Sequence, residues 1–564
     1  MKLSSVGSLV LGAALLGSVG AGAQTAAAPP KLVVVVAIDQ FRADYLERFR
    51  PYFAAGGFNL LLRRGATFTE AHYEHGVTLT CPGHAVILTG SYANRNGIVA
   101  NAWYDESKRK TEYCAADTVA KLIGASTEGR SPRNLLDSTV GDRLKTVTGG
   151  RSRVVAIAGK DRSAIMLGGH LADAAYWTED TLIVTSTYYM RELPPWAQRF
   201  NTSGAITRFT GSTWDRLLPP AAYAAVGPDD VAPEESPGGL GRTFPHHLGT
   251  GRSPPDDFMA GFQTSPFENE VLVDFAMEAV TQEGLGADGI PDLLALGFSA
   301  NDLVGHSYGP DSHEVMDMTL RTDRLLERFF GFLNRQVGLD SVAIVLTSDH
   351  GVSPFPELVR RRNPATVAAR FDPSLVTGAA EKALRARFGA PRRPGYLVRP
   401  NWIMHQGWPW LYLNLPGLED KQIPVEEAER IARDAVEEVT GVERAITASE
   451  LLRQRRQGLH SRAELSFYPD RSGNVYVELA PYLLPEAQQV GTTHGSPWAY
   501  DTHVPLLWFG PGITTGRYNE AVAMADLAPT LAALLRIPAP SGSVGRVLRE
   551  MMRQPSDSTM TAIP

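Results

Sequence analysis

The run Lys31-Leu-Val-Val-Val-Val-Ala-Ile38, followed at once by Asp39, decides how the rest of the chain is read. It is apolar from end to end and lacks the alternation of a half-wet strand. It therefore predicts a strand buried on both faces, as in parallel sheets. Asp292–Phe298 (DLLALGF), Ser341–Thr347 (SVAIVLT) and Val154–Ala158 (VVAIA) read the same way, and Val504–Phe509 (VPLLWF) supplies a fifth such run. Helical patterns lie between them. Met316–Val337 carries apolar residues at three- and four-residue spacing, and Leu527–Leu535 repeats the pattern. Strands alternating with helices predict an α/β fold, a doubly wound, mostly parallel sheet with helices on both faces.

Two stretches interrupt this rhythm: residues 196–265, rich in Gly, Pro and Ser, and residues 355–485. The second holds a pattern of its own, with strands expected at Trp410–Leu413 and Asn474–Leu479 and an amphipathic helix at Val425–Val439. Both read as cap segments inserted into one catalytic domain spanning 24–550, whose core is 31–195, 266–354 and 486–550. Residues 551–564 form a tail. Trp402, Trp408 and Trp410 in the second insertion read as core packing. The first 23 residues, with Lys2, an apolar stretch from Leu9 to Val19 and Ala21-Gly-Ala23, read as a cleavable secretory signal. That stretch falls short of the roughly 20 residues a membrane span needs. A periplasmic or secreted protein, free of the membrane after cleavage at Ala23, is expected.

Composition narrows the function. A chain 43% hydrophobic and 20% charged is an ordinary globular protein. A net charge of −7 offers nucleic acid no basic face. Two cysteines, Cys81 and Cys114, cannot build a four-thiolate metal site and can form at most one disulfide.

Ligands of open α/β sheets bind beyond the carboxyl ends of the strands. Here each strong strand runs into a metal-type side chain: Asp39 after the first, Asp302 with His306 after DLLALGF, and Asp349-His350-Gly351 after SVAIVLT. Asp302 and His306, four residues apart, share one face of a helical turn. Asp349 and His350, being adjacent, could serve one metal or two. His494 in Gly491-Thr-Thr-His-Gly495 is a distant sixth ligand. Asp/His sets without cysteine suit zinc or manganese, and three of each fit a pair of ions that clamp the two oxygens of an in-line displacement. The other histidines, among them His72, His75, His84 and His503, read as loop, surface or core residues. In Thr78-Leu-Thr-Cys-Pro-Gly-His84, Pro82 suits the first turn of a helix that ends at Gly90, with Thr80 at or near its N-cap. A bare threonine hydroxyl is too weak an acid to attack anything at neutral pH; a coordinated one is not.

Asp39, Thr80-Cys-Pro-Gly-His84, Asn101, Lys160-Asp-Arg162, Asp302-x-x-x-His306, Asp349-His350-Gly351 and His494, in this order, resemble the type I phosphodiesterase/nucleotide pyrophosphatase branch of the alkaline phosphatase superfamily. The chain is most similar there to the bacterial threonine-dependent alkaline phosphatases. The resemblance implies an alkaline-phosphatase-like fold and two zinc ions per chain. One would be held by Asp302, His306 and His494, the other by Asp39, Asp349, His350 and Thr80. It implies Thr80 as nucleophile, through a phosphothreonine intermediate, and Asn101 as a donor to a phosphate oxygen. Lys160 and Arg162 follow the VVAIA strand and, on an extended segment, would lie on one side of it. A monoester dianion suits a planar guanidinium plus a point-charge ammonium, and in the resembled family this pair marks monoesterases. The expected activity is therefore hydrolysis of small phosphate monoesters by a monomer or weak oligomer, with no nucleic acid as specific partner. A phosphodiesterase or nucleotide pyrophosphatase of the same fold is the alternative. A sulfatase would need Cys or Ser in C/S-x-P-x-R, which Cys81-Pro82 does not match.

Overall fold

The structure, a computed structural model, describes residues 28–125, 128–249, 257–391, 401–485 and 489–553. The expected signal segment and all but the first residues of the tail lie outside this range. The main sheet has eleven strands. In chain order they include β1 (Leu32–Ile38), β2 (Ala66–His72), β3 (Ala116–Ile123), β4 (Glu128–Arg130), β5 (Val154–Ala158), β6 (Ala174–Glu179) and β7 (Leu182–Ser186). After these come β8 (Asp292–Phe298) and β9 (Val342–Thr347). A separate four-stranded sheet, described below, contains β10 (Ile403–Gly407), β11 (Trp410–Leu413), β12 (Val442–Thr447) and β13 (Val475–Leu479). The main sheet is completed by β14 (Leu506–Phe509) and β15 (Gly516–Ala523), in the spatial order β15-β2-β14-β9-β1-β8-β5-β6-β7-β3-β4.

The expected runs are strands, and the sheet is mixed, with a parallel centre and antiparallel pairs towards both sides. β9, β1, β8, β5 and β6 are parallel neighbours. β14 runs antiparallel to both β9 and β2, and β7 antiparallel to β6. An apolar run reports burial on both faces; it carries no information about strand direction, which the connections decide.

β1 shows why the centre of the sheet needs two hydrophobic faces. Val33, Val35 and Ala37 belong to the core on one side, with Val86 and Leu88 of α1 (Thr80–Thr89) and Ile165 of α2 (Asp161–Gly168). Leu32, Val34, Val36 and Ile38 belong to the core on the other. There they meet Val271 and Leu272 of α3 (Pro266–Gln282), Val304 of α4 (Ala300–Tyr308) and Phe329 of α5 (His313–Gln336). Every residue of β1 is fully buried, and each large aliphatic side chain contributes roughly 1.5–3 kcal/mol by leaving water.

The smaller sheet, ordered β10-β11-β13-β12, falls within the stretch read as the second insertion. It carries α6 (Val425–Glu437) on one face through Ala428, Ala432 and Val436, over Val475 and Val477. Trp402 and Trp410 are fully buried and serve packing, as expected. Among the described residues no helix is long and apolar enough to cross a membrane.

Register aligns the strand ends that matter. Ile38 pairs with Phe298, Ala37 with Thr347 and Gly297 with Ala158. The residues that follow β1, β8, β9 and β5 therefore emerge side by side along one edge.

Candidate metal centre and active site

Two ligand clusters form at that edge. In the first, Asp302 and His306 lie one turn apart on α4, with His306 Nε2 3.3 Å and His494 Nε2 3.5 Å from Asp302 Oδ1. In the second, His350 Nε2 lies 3.4 Å from Asp39 Oδ1 and 3.3 Å from Asp349 Oδ2. Asp349 and His350 thus face one centre rather than two. The clusters adjoin: the His350 and His494 rings stack with centroids 3.5 Å apart.

The donor chemistry fits cations. Asp39 Oδ1 and His350 Nε2 are buried without hydrogen-bond partners, a costly arrangement unless something positive sits among them. Each imidazole is oriented by a backbone carbonyl at its other nitrogen. His306 Nδ1 donates to Thr492 O (2.6 Å), His494 Nδ1 to Thr78 O (2.7 Å) and His350 Nδ1 to Gly351 O (2.9 Å). That leaves the three Nε2 atoms facing the clusters, the usual second-sphere arrangement of metal-ligating histidines. Burial and the neighbouring His350 hold His494 neutral, and burial lowers His350 as well. Burial and the nearby Asp349 push the Asp39 carboxyl up. At Asp302 burial pushes upward too, but His306 and Lys160 overcome it and hold the carboxyl well below its ordinary range.

Lys160 ties the clusters together. Its ammonium donates to Asp39 Oδ2 at 2.7 Å and to Asp302 Oδ2 at 2.5 Å, and its side chain is only 10% exposed. Lys160 is the N-cap of α2, and Arg162 lies in the helix's first turn, not on an extended segment. The two side chains diverge accordingly. Lys160 points between the clusters, and Arg162 interacts with Tyr113 and Asp161. Arg162 Nε is buried with no partner.

Thr80 is buried as the first residue of α1, and Leu79 rather than Thr80 is the N-cap. Its hydroxyl is therefore not committed to capping. Asn101 closes the other side: its Oδ1 accepts from Cys81 N (2.8 Å), which turns the Nδ2 amide the other way. Cys114 N donates to Asn101 O at 2.9 Å, and Cys114 is disulfide-bonded to Cys81. A single bridge thus spans the base of the Thr80 helix and the Asn101 loop.

Sequence reasoning passed over four supporting residues. His84, fully buried, has Nδ1 3.0 Å from Asp349 Oδ2 and donates to Thr80 O. Its position four residues after Thr80 was the available signal. Gln40 adopts φ 63° directly after Asp39; its backbone N–H donates to Asp349 Oδ1 (3.1 Å) and its Nε2 to Asp302 Oδ1 (2.6 Å). Nothing in the sequence marks it beyond its place next to a ligand. Gly83 and Gly305 make room: a Cβ at Gly83 would overlap the Asp349 carbonyl, and one at Gly305 would overlap Gln40 Oε1.

Comparison with known proteins agrees with this picture. Residues 33–482 match the family described as Type I phosphodiesterase / nucleotide pyrophosphatase. The alkaline phosphatase PhoV of Synechococcus elongatus is 33% identical over 93% of this chain and 94% of its own. The alkaline phosphatase PafA of Elizabethkingia meningoseptica is 32% identical over 95% of this chain and 97% of its own. The crystal structure of wild-type PafA superimposes with a TM-score of 0.86 at 31% identity, covering 93% of this chain and 99% of that one. The fold is thus alkaline-phosphatase-like, and the chain belongs to the type I phosphodiesterase/nucleotide pyrophosphatase family.

Proposed function

We propose that the protein is an alkaline phosphatase, a hydrolase of small phosphate monoesters that works with two zinc ions and a phosphothreonine intermediate. The observation that carries this reading is the juxtaposition of two Asp/His clusters with Lys160 between them and the unpartnered Arg162 Nε beside them. With a divalent ion in each cluster, these side chains would leave the site a surplus of positive charge, which suits a dianion with three terminal oxygens. The names of the relatives that align along nearly the whole chain support it.

Asp302, His306 and His494 would hold one ion, and Asp39, Asp349, His350 and Thr80 the other. When bound, the ions supply Lewis acidity, lowering the pKa of a coordinated hydroxyl and neutralising charge on the oxygens of the displacement. Thr80 Oγ1, its proton released to solvent, attacks phosphorus in line; the ester P–O bond breaks and the alkoxide leaves, taking a proton from solvent. Water then cleaves the phosphothreonine, returning the hydroxyl. Asn101 Nδ2 and Arg162 donate to the non-bridging oxygens where charge accumulates. Lys160 adds its positive charge and steadies Asp39 and Asp302. The catalytic domain spans 24–550, with the 196–265 and 355–485 segments as caps. Export by the N-terminal signal accords with the Cys81–Cys114 disulfide, a bond of oxidising compartments.

Rates on nitrophenyl phosphate and bis-nitrophenyl phosphate test the substrate class. The monoester is expected to turn over faster by orders of magnitude; a faster diester would establish a phosphodiesterase. Thr80→Ala is expected to retain zinc and phosphate binding and lose turnover by several orders of magnitude. An unchanged rate removes Thr80 as nucleophile.

A further inference from the structure

A third set of ligand atoms lies away from this centre. Glu70 and His72 point to one face of β2, two residues apart, and His503 faces His72 across an isolated antiparallel bridge. One ligand atom from each of the three lies within 4.8 Å of the others. We propose that Glu70, His72 and His503 form a further binding site for a divalent cation of the zinc type.

Three features support it. The first is orientation: His503 Nε2 donates to Thr69 O at 2.7 Å, which fixes the tautomer and leaves Nδ1 as a bare lone pair. This is the carbonyl device that orients His306, His350 and His494, applied from the opposite nitrogen. The second is the state of His72. Its nitrogens meet Thr502 Oγ1 and Glu70 Oε2 only at 3.5 Å, too long for effective hydrogen bonds. The third is a rigid frame. Tyr73 N donates to Thr502 O (3.0 Å) and Ala43 N to His503 O (3.3 Å), so both backbones are held before any cation arrives.

The rings now stack with centroids 4.5 Å apart and planes 15° from parallel. The His350–His494 pair shows the same parallel stacking. Drawing the donors to the ~2 Å of a zinc–nitrogen bond requires rotation of His72, whose side chain is 31% exposed. Two imidazoles and one carboxylate, with no thiolate, suit zinc, nickel or copper(II) over calcium or magnesium. Water would complete the coordination. The cation would clasp the end of β2 to the 501–503 segment, whose Asp501 O accepts from Gly351 N beside His350.

Calorimetric titration of zinc-loaded wild-type protein and His72→Gln with Zn2+ tests this, whatever number of ions the main clusters hold. Wild type is expected to take up one equivalent more than His72→Gln, and Glu70→Gln to lose or weaken that same equivalent. Zinc-edge anomalous diffraction is expected to place the ion between the two histidines. Monoester turnover, measured with the main clusters saturated, should stay unchanged in both variants and certify their fold. Equal zinc uptake in wild type and His72→Gln, or an extra ion located elsewhere, overturns the proposal.

Discussion

Reduction of the Cys81–Cys114 bridge should destabilise the protein by about 3–4 kcal/mol. The two cysteines are 33 residues apart; closing a loop of that size removes conformational entropy from the unfolded chain worth about 3–4 kcal/mol at 25 °C. The perturbation is a phosphine reductant, which leaves both buried sulfurs in place, with Cys81→Ala/Cys114→Ala as the control that cannot respond to it. Urea denaturation followed by tryptophan fluorescence reads the effect. The reduced protein should unfold at lower urea and with a steeper dependence, because its unfolded chain exposes more surface. There should also be a local consequence. Asn101 is held by Cys81 N, by Cys114 N and, through them, by the bridge. Loosening that clamp should misplace the Asn101 amide and lower kcat/KM for a monoester by up to about 100-fold. The reasoning is refuted if thiol titration shows the bridge fully open while the urea midpoint stays where it was.

Lys160→Ala strands the buried carboxylates of Asp39 and Asp302, whose side chains are 1% and 4% exposed, and should cost about 3–5 kcal/mol in metal-free protein; a loss below about 1 kcal/mol in urea denaturation would contradict the pairing. Gly305→Ala drives Gln40 off Asp302 and should weaken retention of the bound metals by about 10–100-fold, read by competition with a chromogenic chelator. Glu268, buried behind Lys160, has its carboxyl pushed up from 4.5 to about 8 by burial. It stays protonated in the folded protein after the unfolded chain has ionised, so its stabilisation is full below pH 4.5 and is lost as pH rises through 8. Glu268→Gln should remove that slope and gain on wild type by up to about 5 kcal/mol between pH 4.5 and 9, as unfolding titrations at each pH would show.

The pieces of the site were legible one strand at a time. Asp39, Asp302 and Asp349 could be picked out because each follows an apolar run whose burial sets it at the end of a central strand. His306 followed from helical spacing. The mixed character of the sheet was not legible, because an apolar strand looks the same in either direction. Nor was the divergence of Lys160 and Arg162, because α2 starts at Asp161, between them, and turns their side chains apart. Gln40 and His84 were missed because their role is contact with a ligand hundreds of residues away.

The sequence by itself determined which segments are buried, which side chains end them and which chemistry those side chains favour, since hydrophobic patterning and donor type are local properties. Only the tertiary structure decided that Lys160 bridges the two clusters, that Cys81 and Cys114 pair, and that His72 comes to face His503. Those are matters of strand register and distance between residues far apart in the chain, which a linear pattern does not encode.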